Sequence, residues 1–294
     1  MSNTNIPRPH VACEVSVERV VAARAADKAQ VLESTMALSL PGGTLAPGIH
    51  QVNLAARQPV VSAIRDSLEA VNARSRDLIL VIPDATTRIM LLDFDTLPEK
   101  TEDAEAVVRF RLKKSLPFDV DQSAVSFDRQ AASAGLRVIA AVTPRAVLEE
   151  YESAVREAGY NPGTVMPSMI AALGAVDATQ PTMVIKVEHG TTTFAIVDQD
   201  QLLLYRALEN GGAAVTGESL VDDVNTSLVY FEDRYNVTVE RLLVSGVQSG
   251  QALQAAFSDR AVRVEELVSS SMKGGAAGNA SRSALAGVAG ALVS

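Results

Sequence analysis

A chain of 294 residues holds about two domains at roughly 150 residues each. Its 26 basic and 35 acidic residues leave a net charge of −9 and a pI near 4.9, which excludes nucleic-acid binding through the whole surface. A single cysteine, Cys13, excludes an intramolecular disulfide and a cysteine-ligated metal, and 47% hydrophobic residues exclude disorder throughout.

The first ten residues lack the apolar stretch of a signal peptide, and no run of about 18 apolar residues occurs, so the chain is expected neither to cross a membrane nor to be exported by that route. Residues 10–17 (HVACEVSV), 18–26 (ERVVAARAA) and 30–40 (QVLESTMALSL) read as a three-stranded meander. A loop with Pro41, Gly42, Gly43, Pro47 and Gly48 follows, and then Val60, Val61, Ile64, Leu68 and Val71 recur mostly three or four residues apart, predicting a helix over 58–73. DLILVIP (77–83) is a short continuous apolar run suited to a buried parallel strand. LRVIAAVT (136–143) predicts a strand, 144–158 a helix with Pro144 near its first turn and Gly159 at its end, and Asn161-Pro162-Gly163 a turn.

The same order returns later. MVIKVE (183–188), TTFAIV (192–197) and LLLYRAL (202–208) predict three strands, 216–235 a helix with Leu220, Val224, Leu228 and Phe231 on one face, ERLLVSG (240–246) a buried strand, and 249–257 a helix. Two βββαβα units in tandem describe an α/β, actin-like (RNase H-like) fold of two lobes around a cleft, whereas a dinucleotide-binding fold alternates strand and helix from the start. Between the units, TTRIMLLDF, a helix from Thr101 to Leu116 and SAVSFDRQAA predict a small inserted α+β subdomain. The expected division is 1–83 with 136–178 for the first lobe, 84–135 for the insert, and 179–294 for the second lobe. Residues 269–282 are Ser, Gly and Ala with little to bury and read as a mobile loop; 283–293 read as a closing core helix.

Within 94–128, Leu97-Pro98, a helix with an acidic start and a basic end, and Leu116-Pro117-Phe118-Asp119 resemble the PilM family of type IV pilus assembly proteins. The resemblance continues through 77–83, 138–162 and 191–208, about half of the chain. It implies an actin-like fold with a relocated small subdomain in the first lobe, like that of the cell-division protein FtsA. It also implies a place at the cytoplasmic face of the inner membrane and a grip on a short N-terminal cytoplasmic peptide of a PilN-like membrane protein.

Actin-like ATPases hold phosphates on two hairpins, each with an Asp followed two residues later by Gly, because the carboxylate positions magnesium and glycine lets backbone N–H groups approach the oxygens. Carried onto this chain, the nucleotide positions are Glu14 and Ser16 on the first hairpin, Gly190, Thr191 and Thr192 on the second, and Gly246 near the adenine. They look vestigial. Ser16 carries a Cβ, Glu18 adds a negative charge toward the phosphates, Lys186 stands where the second Asp belongs, and Ser245-Gly246-Val247 replace a glycine run. The linker ENGGAAV (209–215) also replaces a helical subdomain that walls the adenine pocket. No cofactor is therefore expected, and no catalytic residue or metal site is assigned.

Two functions stand: a non-enzymatic adaptor, or an ATPase that takes up ATP and magnesium and couples cleft closure to partner exchange. For the adaptor, the expected peptide groove lies between the insert and the first lobe, bordered by the strand Ile89 to Phe94, with Met90, Leu92, Phe94 and Leu97 as partner-binding residues. His189 beside Glu188 reads as a surface hairpin rather than a metal ligand, and Gly211-Gly212 as a turn rather than a phosphate cradle. The cluster Arg109, Arg111, Lys113, Lys114 either complements the helix dipole or faces anionic lipid or an acidic partner.

Overall fold

The computed structural model describes residues 9–26, 31–50, 52–132, 135–210, 215–246, 250–258 and 262–293. The first half runs β1 (Val11–Val15), β2 (Arg19–Ala25), β3 (Leu32–Ser39), α1 (Arg57–Ala70), β4 (Asp77–Ile82), β5 (Arg88–Phe94), α2 (Thr101–Lys113), β6 (Ser123–Ala131), β7 (Leu136–Pro144), α3 (Arg145–Glu157), β8 (Asn161–Pro167) and α4 (Ser168–Leu173). The second runs β9 (Thr182–Glu188), β10 (Thr191–Asp198), β11 (Gln201–Glu209), α5 (Gly217–Tyr235), β12 (Arg241–Ser245), α6 (Gly250–Ala256), β13 (Arg263–Glu266), α7 (Ser270–Lys273), β14 (Ala277–Gly278) and α8 (Ala286–Val293).

Each half builds one large sheet, ordered β14-β3-β2-β1-β4-β8 in the first lobe and β11-β10-β9-β12-β13 in the second. In both, three antiparallel strands are followed by strands added in parallel beside the first of them. The two-residue period of a strand divides each sheet between two cores. Val11, Cys13 and Val15 of β1 and Leu78, Leu80 and Ile82 of β4 pack on α1 and α3, while Ala12, Ile79 and Val81 face the other lobe. Correspondingly, Met183 and Ile185 of β9 pack on α5, and Val184 faces the first lobe. Between the sheets lie α4 and α8, which are short and rich in alanine. The second-lobe helix α5 starts at Thr216, whose hydroxyl accepts from the Ser219 N–H at 3.2 Å, and ends at Asn236 in the left-handed region.

The small module is a three-stranded sheet, β5-β7-β6, with α2 on one face. Residues 136–144 are therefore its central strand, not part of the first lobe, because β7 pairs with β5 along one edge and with β6 along the other. Asn161-Pro162-Gly163 are likewise strand rather than turn: β8 pairs in parallel with β4, and Gly163 is the extra residue of a bulge between the Leu78–Pro162 and Ile79–Thr164 pairs. An open edge on β4 overrides the local turn preference of those residues.

Residues 269–282, read from the sequence as a mobile loop, contain α7 and β14; they are held by backbone pairing together with Met272, Ala276 and Ala280, which pack on the interlobe core. β14 pairs with β3, and the Asn279 amide continues that edge, donating to the Ala37 carbonyl at 3.0 Å and accepting from the Ala37 N–H at 2.8 Å. With α8 packed on β1, β2 and β4, the C-terminal stretch belongs as much to the first lobe as to the second. Among the described residues, no helix is long and apolar enough to cross a membrane.

Candidate functional site

The strand alternation that sends Ala12 and Val184 into the interlobe core sends Glu14 and Lys186, two residues further on, toward each other at the end of that core. Lys186 Nζ donates to Glu14 Oε1 at 3.2 Å and also to Glu188 Oε1, with the Lys186 and Glu14 side chains 8% and 6% exposed. Ser168 Oγ, at the start of α4, donates to Glu14 Oε1 as well. The start of α8 can lie on this carboxylate because Gly287 has no side chain: a Cβ there would stand 2.5 Å from Glu14 Oε2.

Beside this triad, Asp84 follows Pro83 at the end of β4 and is 1% exposed. It accepts from the Met169 N–H at 2.8 Å and from Thr193 Oγ1 of the second lobe at 3.0 Å. Burial pushes its carboxyl up to about 7, and repulsion from Glu188 adds to this, while Lys186, the Met169 N–H and Thr193 pull it back. Burial opposes the Lys186 ammonium, yet Glu14, Glu188 and Asp84 outweigh it and hold its pKa above the ordinary lysine value. The site is thus a cation already placed among three carboxylates contributed by both lobes.

Outside it, a cleft of about 660 Å³ opens between the turns β1–β2 and β9–β10, roofed by loop 43–50. A second groove, of about 270 Å³, runs between the small module and the first lobe. Its sides are Ala124, Val125 and Ser126 of β6 and Pro162, Gly163 and Val165 of β8, with Thr87 and Thr143 hydrogen bonded at 2.8 Å among the residues lining it. Among the described residues, β6 pairs only with β7 and β8 only with β4, so both strands bordering the groove have a free edge.

No protein-family model matches the chain, and no curated protein sequence matches it significantly. Solved structures do. The PilM–PilN type IV pilus biogenesis complex matches with a TM-score of 0.73 at 16% identity, covering 88% of each chain. A Bacteroides thetaiotaomicron protein with an actin-like ATPase fold and unknown function matches with a TM-score of 0.54 at 10% identity, over 90% of this chain and 93% of that one. The chain has an actin-like fold. The cytoplasmic domain of EpsL, an inner-membrane component of the type II secretion system of Vibrio cholerae, also matches, with a TM-score of 0.52 at 10% identity over 90% and 99% of the two chains.

The actin-like arrangement places the sequence-predicted positions as follows. Ser16, Gly190 and Thr191 line the interlobe cleft. Glu14 lies deeper, committed to Lys186 and Ser168, and Thr192 is buried and accepts from the Asn210 amide at 3.0 Å. Gly246 packs against β9: with φ of +80°, a Cβ there would stand 1.9 Å from the Val187 carbonyl. Glu18, expected to face phosphates, is exposed and paired with Arg19 at 2.6 Å. His189 lies in the β9–β10 turn and lines the cleft. Gly211, Gly212 and Val247 lie outside the described residues.

The predicted partner-binding residues require correction. Leu92 is buried in the core of the small module, and Met90, Phe94 and Leu97 pack against that same core, because this face of β5 is covered by α2. The opposite face of the sheet, with Leu91 and Ile139, abuts the interlobe core. The groove between module and lobe is bordered by β6 and β8, at the other end of the β5-β7-β6 order. Asp84, Ser168 and Thr193 were not singled out in the sequence; Asp84, a carboxylate directly after a buried strand and Pro83, was the signal available.

Proposed function

We propose that this protein is a non-enzymatic adaptor that takes up an extended N-terminal cytoplasmic peptide of a PilN-like bitopic membrane protein, and so works at the cytoplasmic face of the inner membrane in a pilus or secretion assembly. The observation that carries this reading is the groove between two free strand edges, β6 and β8. Free edges offer the backbone donors and acceptors that an added strand needs, and small side chains such as Ala124, Ser126 and Gly163 leave room for one. The fold shared with the PilM–PilN complex supports the choice of partner.

The ATPase alternative has the 660 Å³ cleft and its Ser16, Gly190 and Thr191 in its favour. Against it stands Lys186. An ammonium held between Glu14 and Glu188 occupies the carboxylates that would otherwise position a divalent cation, and it cannot itself ligate one. The adaptor is therefore expected to show no magnesium-dependent turnover.

Calorimetric titration of the protein with the cytoplasmic tail of its membrane neighbour tests the adaptor. Binding that is lost in Ser126→Trp, a substitution at an exposed groove position, supports it. A tail that does not bind, or that binds Ser126→Trp as well as it binds the parent, overturns it. Tight MgATP binding, with Kd of roughly 10 μM or below, would overturn the non-enzymatic part.

A further inference from the structure

The outer helices of this acidic chain carry unlike charge. On α2, Phe110 is 62% and Val107 39% exposed, and the Lys114 ammonium lies 4.5 Å from the centre of the Phe110 ring. The basic cluster noted in the sequence divides in two here. Arg109 is held by Glu105 at 2.7 Å and the Val120 carbonyl at 2.9 Å, and Lys113 by Asp121 at 2.7 Å. Arg111 and Lys114 are exposed and have no ion-pair partner among the described residues. The acids of α2 without an ion pair among the described residues, Glu102 and Asp103, stand in its first turn, so its C-terminal half presents Phe110 with two free cations. On α5, by contrast, Val229 and Tyr230 are exposed beside Asp222 and Asp233, and neither carboxylate has an ion pair among the described residues.

We propose that the C-terminal half of α2 docks on the anionic lipid surface of a membrane. The spacing Val107–Phe110/Arg111–Lys114 puts two apolar and two basic side chains on one stripe of the helix. The Phe110 ring can enter the boundary between headgroups and acyl chains while the long Arg111 and Lys114 stems reach back to headgroup phosphates, each cation raising the partition about fivefold. Two apolar residues are too few for the dry centre of a protein interface, whereas a fluid surface needs no matching pocket. A chain of net charge −9 is repelled on average by anionic lipid, so this local basic face also sets the orientation. Both helices cover the side of their sheet that points away from the interlobe core: α2 lies over Met90 and Leu92, opposite Leu91, and α5 over Met183 and Phe194, opposite Val184 and Ala195. The small module therefore meets the lipid, and the free carboxylates of α5 stay away from it. The proposal rests on the membrane-proximal location proposed above and adds a lipid contact on the module whose β6 borders the peptide groove. Lipid and tail held by one module act together, so a weak lipid contact is enough to prolong residence at the membrane.

Vesicle binding by the protein without any tail peptide tests this. The chain contains no tryptophan, so Phe110→Trp supplies a single reporter. Its emission should shift to the blue with vesicles of phosphatidylglycerol mixed with phosphatidylcholine, remain unchanged with phosphatidylcholine alone, and return on addition of salt. In sedimentation with the mixed vesicles, the double variant Arg111→Glu with Lys114→Glu should partition at least about 25-fold less than the parent. No residue of α2 lines the peptide groove, so in calorimetry this variant should bind the membrane neighbour's tail as the parent does, and failure of the lipid contact is read apart from failure of the groove. A reporter silent on the mixed vesicles overturns the proposal, as do a shift equal on both kinds of vesicle and a partition indifferent to the double charge reversal. A reporter that responds to poly-glutamate but not to vesicles also overturns it, and makes α2 a surface for an acidic protein.

Discussion

Lys186 of the second lobe and Glu14 of the first, 172 residues apart in sequence, form a buried ion pair at 3.2 Å where the two sheets converge. Each is the residue that continues an apolar, inward-facing strand row one step past the core, so equivalent positions of two repeated units carry opposite charges. A buried pair is costly to desolvate and is held by the quality of its contacts, which here include Glu188 and Ser168.

Lys186→Met should therefore destabilise the protein by about 3–5 kcal/mol, because Glu14 and Glu188 are left buried without a counter-charge. Urea unfolding measures this. Adding Glu14→Gln to Lys186→Met should recover part of the loss, and an additive further loss would argue against the triad.

Asp84 predicts a pH dependence whose sign follows from linkage. Its folded pKa, about 7, lies above the unfolded value of 3.8, so the native state holds the proton more tightly. Its contribution to stability is complete below about pH 4 and is lost as pH rises through 7. In Asp84→Asn, which keeps an oxygen for the Met169 N–H, the fall in thermal midpoint between pH 4 and 7 should flatten relative to the parent. An unchanged slope would falsify the assignment.

Leu92→Asp should unfold the small module instead of selectively abolishing partner binding. The side chain is 7% exposed among Val108, Leu112 and Val138, and burying a carboxylate there without a partner costs several kcal/mol, roughly 3 or more. Protease sensitivity confined to about residues 88–144 would show this, whereas Ser126→Trp should leave the protein as resistant as the parent.

Gly287→Val should disturb both lobes at once. Its side chain would enter the space of the Glu14 carboxylate, displacing it from Lys186 and Ser168, with a loss of about 1–3 kcal/mol typical of overpacking. Hydrogen exchange at β1 and β9 should rise together; a change limited to α8 would mean that Glu14 moves aside without loss.

The repeated strand grammar and the module inserted after Pro83 are legible in the chain itself, because they depend on local periodicity and on breakers such as Pro98 and Pro117. The sequence also singled out Lys186 as a residue unsuited to hold magnesium. What Lys186 does instead follows from the convergence of two sheets, which brings it to Glu14, a partner remote in sequence. The membership of β7 and β8 was decided the same way, by whichever strand edge stood open, as was the ordering of 277–279 along β3. The face of β5 that is buried was also beyond local pattern. Met90, Leu92 and Phe94 alternate with Ile89, Leu91 and Asp93, both rows contain apolar residues, and α2 on one side and the interlobe core on the other decide between them.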